Sequence, residues 1–217
     1  MQRGFLLKTM EKKQRVIIYV DGFNFYHGLK AKKWKKFYWL DIVKFFESFI
    51  REHQELLFVH YFSAVPISDD GQVRRQQAFF SANKLNPKFK LVLGKYKRKS
   101  IKLKDGKMHE TFEEKETDVR IATQMISDVV KDKCDMSILV SADSDLIPPI
   151  EFIKDYKPLH KIVTYFPPCR KANELKLLSN SHVFLERHEL RFNSSMLDEE
   201  VTLVNGTKLI RPKNWKH

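Results

Sequence analysis

The sequence lacks several features that mark whole classes of protein. Its 217 residues include only two cysteines, Cys134 and Cys169, which are too few for a disulfide framework and have no metal-ligand spacing. No stretch approaches the roughly 20 consecutive apolar residues of a membrane helix. The first 14 residues hold one brief apolar patch and no small-residue cleavage site, so we expect no secretory signal. These absences favour a cytoplasmic protein with reduced thiols and no membrane association.

Several common catalytic signatures are missing as well. Neither a GxSxG nor a GxGxxG pattern occurs, which argues against the usual serine hydrolases and dinucleotide-binding proteins. The eight histidines show no HxxxH or HxH spacing, so we interpret them as structural or surface groups. The chain has no internal repeat and no low-complexity linker. Its length fits one large domain, or a domain with a small appendage.

Positive charge is abundant. The formal net charge is +13, while 42% of the residues are hydrophobic, so the composition is globular and attracts polyanions. The lysines gather between residues 30 and 36 and between residues 84 and 107, with the aromatic residues Trp34, Phe37, Tyr38, Trp39 and Tyr96 interleaved. A solvated surface is the ordinary explanation of single lysines. Clusters mixed with rings favour nucleic acid, since cations contact phosphates and rings stack on bases. The aromatic residues between Trp34 and Trp39 would equally serve a homodimer. The predicted nucleic-acid-binding residues are Lys32, Lys33, Lys35, Lys36, Lys95, Lys97, Arg98 and Lys99.

Short apolar runs alternate with helical patterns along the chain. This alternation predicts an α/β fold with a mainly parallel central sheet and helices on both faces. Strands are predicted at 15–20, 56–62, 89–93, 136–140, 161–166 and 183–185, and helices at 23–29, from 42, and at 72–85, 117–130, 147–156 and 172–178. Asp105-Gly106 and Asn205-Gly206 are turn signals that predict two hairpins. We divide the chain into a basic N-terminal arm (1–14), a catalytic domain (15–187) and a C-terminal hairpin extension (188–217).

Acidic residues follow two of the predicted strands. Asp21 ends the first strand, and Asp143 and Asp145 follow the strand at 136–140. Ligands of parallel sheets lie outside the carboxyl ends of the strands, where strand order reverses. Asp118 begins the helix at 117–130 and lies on its apolar stripe. Turns and helix caps are the ordinary explanation of each residue alone.

Four carboxylates that converge at one edge of a sheet repel each other unless a cation neutralises them. Oxygen ligands of this kind suit one or two Mg²⁺ or Mn²⁺ ions. A divalent ion in a basic protein indicates phosphodiester hydrolysis, because the metal activates water and stabilises charge on the phosphate. We expect Asn24, one helical turn beyond Asp21, to donate its amide to a ligand, a phosphate or the attacking water. Ser144 is a further expected contact for water or phosphate.

Three stretches resemble a known family. VDGFNFY (20–26), KETDVRIATQM (115–125) and VSADSDLIPPI (140–150) are together similar to the NYN domain, the LabA-like branch of the PIN-type ribonucleases. The resemblance covers residues 15–185. It implies a Rossmann-like, PIN-type three-layer sandwich with a Mg²⁺- or Mn²⁺-dependent endoribonuclease centre. It also implies products with a 5′-phosphate and a 3′-hydroxyl.

The resemblance also assigns roles to individual residues. It implies that Asp21, Asp118 and Asp143 bind the metal and that Asp145 joins them directly or through water. Asn24 is then the polar partner beside the first aspartate. Lys115 stands where relatives commonly have a lysine, and the resemblance implies contact with the scissile phosphate. Glu116 replaces a usually small residue, and the sequence leaves open whether it is an extra ligand or faces solvent.

Three alternatives accompany this hypothesis. A catalytically silent RNA-binding regulatory module would keep the same fold, but its expected loss of acidic ligands is not observed. DNA stays open as a substrate, because stacking and phosphate contacts do not distinguish it from RNA. A haloacid-dehalogenase phosphatase is disfavoured. Phosphatases of that kind have a DxD pair after the first strand, and position 23 is Phe here.

Overall fold

A six-stranded sheet forms the centre of the computed structural model, which describes residues 12–65, 70–102 and 108–216. Its strand order is β3-β2-β1-β6-β7-β8, and every pairing within it is parallel. The strands are β1 (Gln14–Asp21), β2 (Gln54–Ser63), β3 (Phe89–Leu93), β4 (Lys95–Lys102), β5 (Met108–Lys115), β6 (Met136–Val140), β7 (Lys161–Phe166), β8 (Ser181–Phe184), β9 (Glu200–Thr202) and β10 (Lys208–Ile210). The helices are α1 (Gly22–Ala31), α2 (Ile42–Glu47), α3 (Asp70–Asn83), α4 (Thr117–Val130), α5 (Ile147–Tyr156), α6 (Asn173–Leu178) and α7 (Glu189–Ser194).

Helices cover both faces of this sheet. Alternate residues of a strand point to opposite faces, so Val16 and Ile18 of β1 belong to one core and Ile17 and Tyr19 to the other. The first core contains apolar residues of α1, α2, α3 and α7, and the second contains those of α4, α5 and α6. Buried parallel strands of this kind need apolar side chains at nearly every position, as β1 and β6 show. The predicted three-layer α/β architecture is confirmed.

The strand order reverses between β1 and β6. Strands β2 and β3 extend the sheet on one side of β1, and β6, β7 and β8 extend it on the other. The connections on the two sides use opposite faces, so a crevice forms beyond the carboxyl ends of β1 and β6. The pairing Val20 with Val140 is the last in that register. The residues that follow each strand, Asp21 and Ser141, therefore lie side by side at the crevice.

Most predicted elements agree with the structure, and α4, α5, β6 and β7 agree to the residue. Helix α7 was not predicted. The C-terminal hairpin of β9 and β10 is confirmed, but residues 203–207 form its loop, rather than a two-residue turn. Strands β4 and β5 form the predicted basic hairpin, whose expected turn at Asp105-Gly106 lies outside the described residues.

The interpretation of the aromatic residues near Trp34 as an exposed patch is wrong for two of them. Phe37 and Trp39 are buried in the first core. Trp39 donates its indole N–H to the carbonyl of Asp198 at 2.8 Å, and Phe37 packs on Phe192, with ring centroids 5.0 Å apart. Their rings are buried inside the folded chain, so neither ring is available to a base or to a second subunit. The homodimer stays a prediction.

The C-terminal segment packs against the residues that follow α1. Leu40 forms a bridge with Met196, and the backbone N–H of Asp41 donates to the carbonyl of Ser195 at 2.9 Å. The predicted boundary at residue 187 stays a prediction, and most of the N-terminal arm lies outside the described residues. In the described part of the chain, no helix has both the length and the apolar character needed to cross a bilayer.

Gly22 lets the start of α1 approach β2. A Cβ at this position would lie 2.5 Å from the carbonyl oxygen of Phe62 and 2.6 Å from Tyr61. Gly22→Ala is therefore expected to lower the free energy of unfolding by about 1–3 kcal/mol, as for overpacking elsewhere. Urea denaturation of the purified variant measures this. Gly206→Asn is the control, since nothing lies within 4 Å there and Asn tolerates its φ of +82°. An unchanged Gly22→Ala midpoint would contradict the tight contact.

Candidate metal centre

Three carboxylates meet at the crevice beyond β1 and β6. One oxygen from each of Asp21, Asp118 and Asp143 lies within 4.8 Å of the others. Asp21 is buried and the other two are half-buried. They come from the end of β1, the first turn of α4 and the segment after β6, so the fold alone unites them. Such an oxygen donor set fits a hard divalent cation such as Mg²⁺ or Mn²⁺.

Asp21 is held by two hydrogen bonds. Its Oδ1 accepts the backbone N–H of Asn24 at 2.9 Å and so caps α1, and its Oδ2 accepts the hydroxyl of Ser141 at 2.8 Å. Burial raises the pKa of Asp21 to about 6, and the charges of Asp118 and Asp143 add to the increase, while these two hydrogen bonds oppose it. Without a cation, ionisation of Asp21 therefore costs folding stability as the pH rises from about 4 to about 6. A bound cation would reverse that cost.

A short hydrogen-bond network fixes the end of β6 against α1. The side-chain oxygen of Asn24 accepts the backbone N–H of Ala142 at 3.2 Å, and the Ser141 hydroxyl accepts the backbone N–H of Asp143 at 3.1 Å. Asn24 thus joins the ends of the two central strands. The expected donation from its amide nitrogen to a ligand stays a prediction.

Asp118 reaches the crevice from the first turn of α4. The cap position belongs to Glu116, in a left-handed conformation with φ of 78°, so Asp118 lies within the helix rather than capping it. A carboxylate in the first turn interacts favourably with the positive end of the helix dipole. Glu116 forms ion pairs with Arg120 at 2.9 Å and Lys95 at 3.5 Å. It is not part of the three-carboxylate group.

The structure does not bring Asp145 into the group. Both Ser144 and Asp145 are exposed, and the described carboxylates that converge are the three named above. The backbone N–H of Asp145 donates to Oδ1 of Asp143 at 3.0 Å, so this residue shapes the turn that presents Asp143. A contact of Asp145 with a metal through water stays a prediction, as does the contact of Ser144 with water or phosphate.

A cavity of about 170 Å³ surrounds the carboxylates. Besides the predicted residues it is lined by Phe23, His27, Thr117 and Arg170, which the sequence interpretation did not assign to the site. Burial and the nearby charges of Arg170 and Lys30 lower the pKa of His27. Arg170 comes four residues after the end of β7, much as Asp143 comes three residues after the end of β6. Its position after a predicted strand was the signal that could have identified it.

The predicted nucleic-acid-binding residues fall into three groups. Lys32, Lys33, Lys35 and Lys115 are exposed, and Lys115 ends β5 directly before Glu116. Lys36 is engaged by Glu189 at 3.1 Å and Lys95 by Glu116 at 3.5 Å. The remaining three, Lys97, Arg98 and Lys99, belong to β4, and their side chains lie outside the described part of the structure. Their role stays a prediction.

The fold and its acidic centre define a PIN-like α/β domain whose three aspartates fit a metal-dependent nuclease. The chain belongs to the NYN domain family, which matches residues 15–186. This match confirms the resemblance seen in the three sequence motifs.

Two individual proteins are similar to this chain at low sequence identity. The 6-hydroxy-3-succinoylpyridine 3-monooxygenase of Pseudomonas putida is 25% identical, over 93% of this chain and 75% of its own length. The crystal structure of a protein of unknown function from Vibrio parahaemolyticus has a TM-score of 0.54 at 20% identity, covering 80% of this chain and 93% of that one. The second similarity shows the shared fold.

Binding of Mn²⁺ is expected to stabilise the folded protein. At about 100 times the dissociation constant, one bound ion adds about 2.7 kcal/mol, which raises Tm by roughly 5–10 °C for a chain of this size. Asp143→Asn is expected to lose this increase. In chelator, the same variant should unfold at the same temperature or higher, because one repulsive charge is gone. Differential scanning fluorimetry measures both effects.

Asp145→Asn is the matched comparison, because it makes the same change two residues away and outside the three-carboxylate group. It is expected to keep most of the Mn²⁺ response. A full response in Asp143→Asn would contradict the assignment of the metal centre.

Proposed function

We propose that the protein is a metal-dependent endoribonuclease that hydrolyses RNA phosphodiester bonds and leaves 5′-phosphate ends. The observation that supports this best is the convergence of Asp21, Asp118 and Asp143 within 4.8 Å at the strand-order reversal. Membership of the NYN family supports the nuclease class. The formal net charge of +13 supports a polyanionic substrate.

In this proposal the three aspartates hold one or two Mg²⁺ or Mn²⁺ ions. A bound divalent ion supplies an activated water and stabilises charge on the phosphate. The protein supplies alignment: Ser141 and the N-terminus of α1 fix Asp21, and Asn24 fixes the segment that carries Asp143. Such fixed geometry lowers the cost of bringing water and phosphate together.

Two cations lie where they can contact the substrate phosphate. Arg170 lines the same cavity as the three aspartates, and its planar guanidinium matches two phosphate oxygens. Lys115 precedes α4 by two residues and is exposed. The lysines of the segment 32–36 would bind more distant phosphates of the same strand.

Asp143→Asn is expected to abolish cleavage of a labelled single-stranded RNA in Mn²⁺. RNA affinity should stay the same or rise, because the substitution removes a negative charge that faces the phosphate. Gel analysis of products and fluorescence anisotropy measure the two quantities. Asp155→Asn, an exposed carboxylate on α5, is the matched control and should cleave normally. Undiminished cleavage by pure Asp143→Asn protein would reject the proposal. A parallel DNA substrate of the same sequence tests sugar preference.

Arg170→Ala is expected to reduce the rate of cleavage about tenfold or more, because a hydrogen bond to a charged group contributes about 1.5–3 kcal/mol. The reduction should appear in single-turnover rates at saturating protein. Lys171→Ala removes a neighbouring exposed charge that does not line the cavity, and should change the rate little. Equal effects of the two substitutions would show a general charge effect instead of a phosphate contact.

A silent RNA-binding module is the alternative within the same fold. Tight RNA binding with no cleavage at any Mn²⁺ concentration would favour it. The Pseudomonas relative is named as a monooxygenase of 6-hydroxy-3-succinoylpyridine, which gives a second activity to test. Incubation with 6-hydroxy-3-succinoylpyridine, dioxygen and a nicotinamide reductant, followed by chromatography, tests that chemistry. Consumption of the pyridine without RNA cleavage would replace our proposal with an oxygenase function.

A further inference from the structure

A second and larger cavity opens beside the metal centre. Its volume is about 340 Å³, within the range of about 300–1,000 Å³ that is usual for small-molecule sites. Phe23 and His27 line both cavities, so the two are neighbours across the first turns of α1. A group bound in one cavity therefore lies close to a group bound in the other.

Aromatic rings form one side of this cavity. Tyr26 and Tyr38 lie with ring centroids 4.9 Å apart, and Trp215 meets Tyr38 edge-on at 5.8 Å. All three line the cavity and are only half-buried, in contrast to the core residues Phe37 and Trp39. Partly exposed rings beside a cavity provide flat apolar surface on which a planar ligand stacks.

One polar atom of the cavity lining has no hydrogen-bond partner within the described part of the chain. Gln76 donates its amide N–H groups to the carbonyl of Ala64 at 3.1 Å and to the hydroxyl of Ser63 at 3.2 Å. The carbonyl of Ala64 can only accept, which fixes the orientation of the Gln76 amide. Its Oε1 is buried and has no hydrogen-bond partner among the described residues. A buried acceptor in this state is destabilising, and a ligand N–H donor would satisfy it.

The C-terminal segment supplies the outer wall. Arg211 donates to the carbonyls of Trp215 at 2.8 Å and Lys36 at 2.9 Å, and it pairs with Glu199 at 2.8 Å. These bonds hold Trp215 beside the cavity. Trp215 lies beyond residues 15–186, the range that matches the NYN family, so this wall is an addition to the matched domain.

We propose that this cavity binds one unstacked nucleobase of the substrate, next to the phosphate at the metal centre. The inference rests on the proposed nuclease function and deepens it. Rings for stacking, an acceptor for a base N–H, and the cations Lys30 and Arg75 among the lining residues together match a nucleotide unit. A base enters only if it is unpaired, so the substrate class is single-stranded RNA, or an RNA loop.

The experiment compares RNA binding with and without bases. Fluorescence anisotropy is measured in chelator, on an Asp143→Asn background, with a labelled single-stranded RNA and an oligonucleotide of the same length made of abasic spacers. Adding Trp215→Ala is expected to weaken binding of the intact RNA about fivefold or more, and of the abasic strand little, because stacking requires a base. Trp215→Phe should restore most of the affinity, since a ring is retained.

Tyr156→Ala is the matched control, because Tyr156 is an exposed aromatic residue on α5 that lines neither cavity. It should bind both strands as the background protein does. Equal losses for intact and abasic strands in Trp215→Ala, or no loss for either, would overturn the proposal. Binding of a free pyridine-type heterocycle in the cavity, together with an RNA affinity that does not change in Trp215→Ala, would also overturn the proposal.

The outcome does not depend on catalysis. Binding is measured without metal, so a base-dependent effect of Trp215 would persist in a protein that cleaves nothing. Conversely, the protein could cleave RNA and yet bind the intact and the abasic strand equally well. That result would reject the base site and leave the nuclease proposal intact. Thermal denaturation of each variant checks that the C-terminal segment stays folded.

Discussion

The pairing of β1 with β6 is the constraint on which the site depends. Their parallel register ends at Val20 and Val140, so the next residue of each chain segment lies at the same level of the crevice. Ser141 can then donate to Asp21 at 2.8 Å, and Asn24 can accept from the backbone after β6. A shift of the register by one residue would turn every side chain of β6 to the opposite face and separate these partners.

Burial of Asp21 gives this arrangement an energetic cost. The carboxylate has a pKa of about 6 because it loses water and faces two other acids. Apolar residues would stabilise the crevice more, so the fold tolerates a destabilised site that other contacts offset. Two continuous apolar cores provide that excess stability, one on each face of the sheet. Because a bound cation would remove this cost, cation binding at this site is expected to stabilise the fold.

Local sequence patterns predicted the sheet, the long helices and three of the converging acids. Asp21, Asp118 and Asp143 each adjoin a strongly periodic element, and elements of that kind are the easiest to predict. Asp145 has the same residue type and nearly the same position, yet it is exposed and lies outside the three-carboxylate group, and sequence spacing alone does not distinguish the two positions. The roles of Ser141 and Trp215 could not be predicted from local patterns, for another reason. Their roles depend on contacts with residues about 120 and 180 positions away, at Asp21 and Tyr38.

The burial of Phe37 and Trp39 changes how the basic segment works. A run of lysines mixed with rings predicts a surface where both contact nucleic acid, but these two rings anchor the segment to the core and to the C-terminal residues. Arg211 ties the same segment to Trp215 through the carbonyl of Lys36. The exposed lysines are therefore presented on a rigid support next to the larger cavity. Under the proposed function, positive charge draws a strand to this face while the acids of the neighbouring crevice repel its phosphates. A phosphate can approach Asp21, Asp118 and Asp143 only when a cation neutralises them, so strand binding and cleavage are physically separable in this fold.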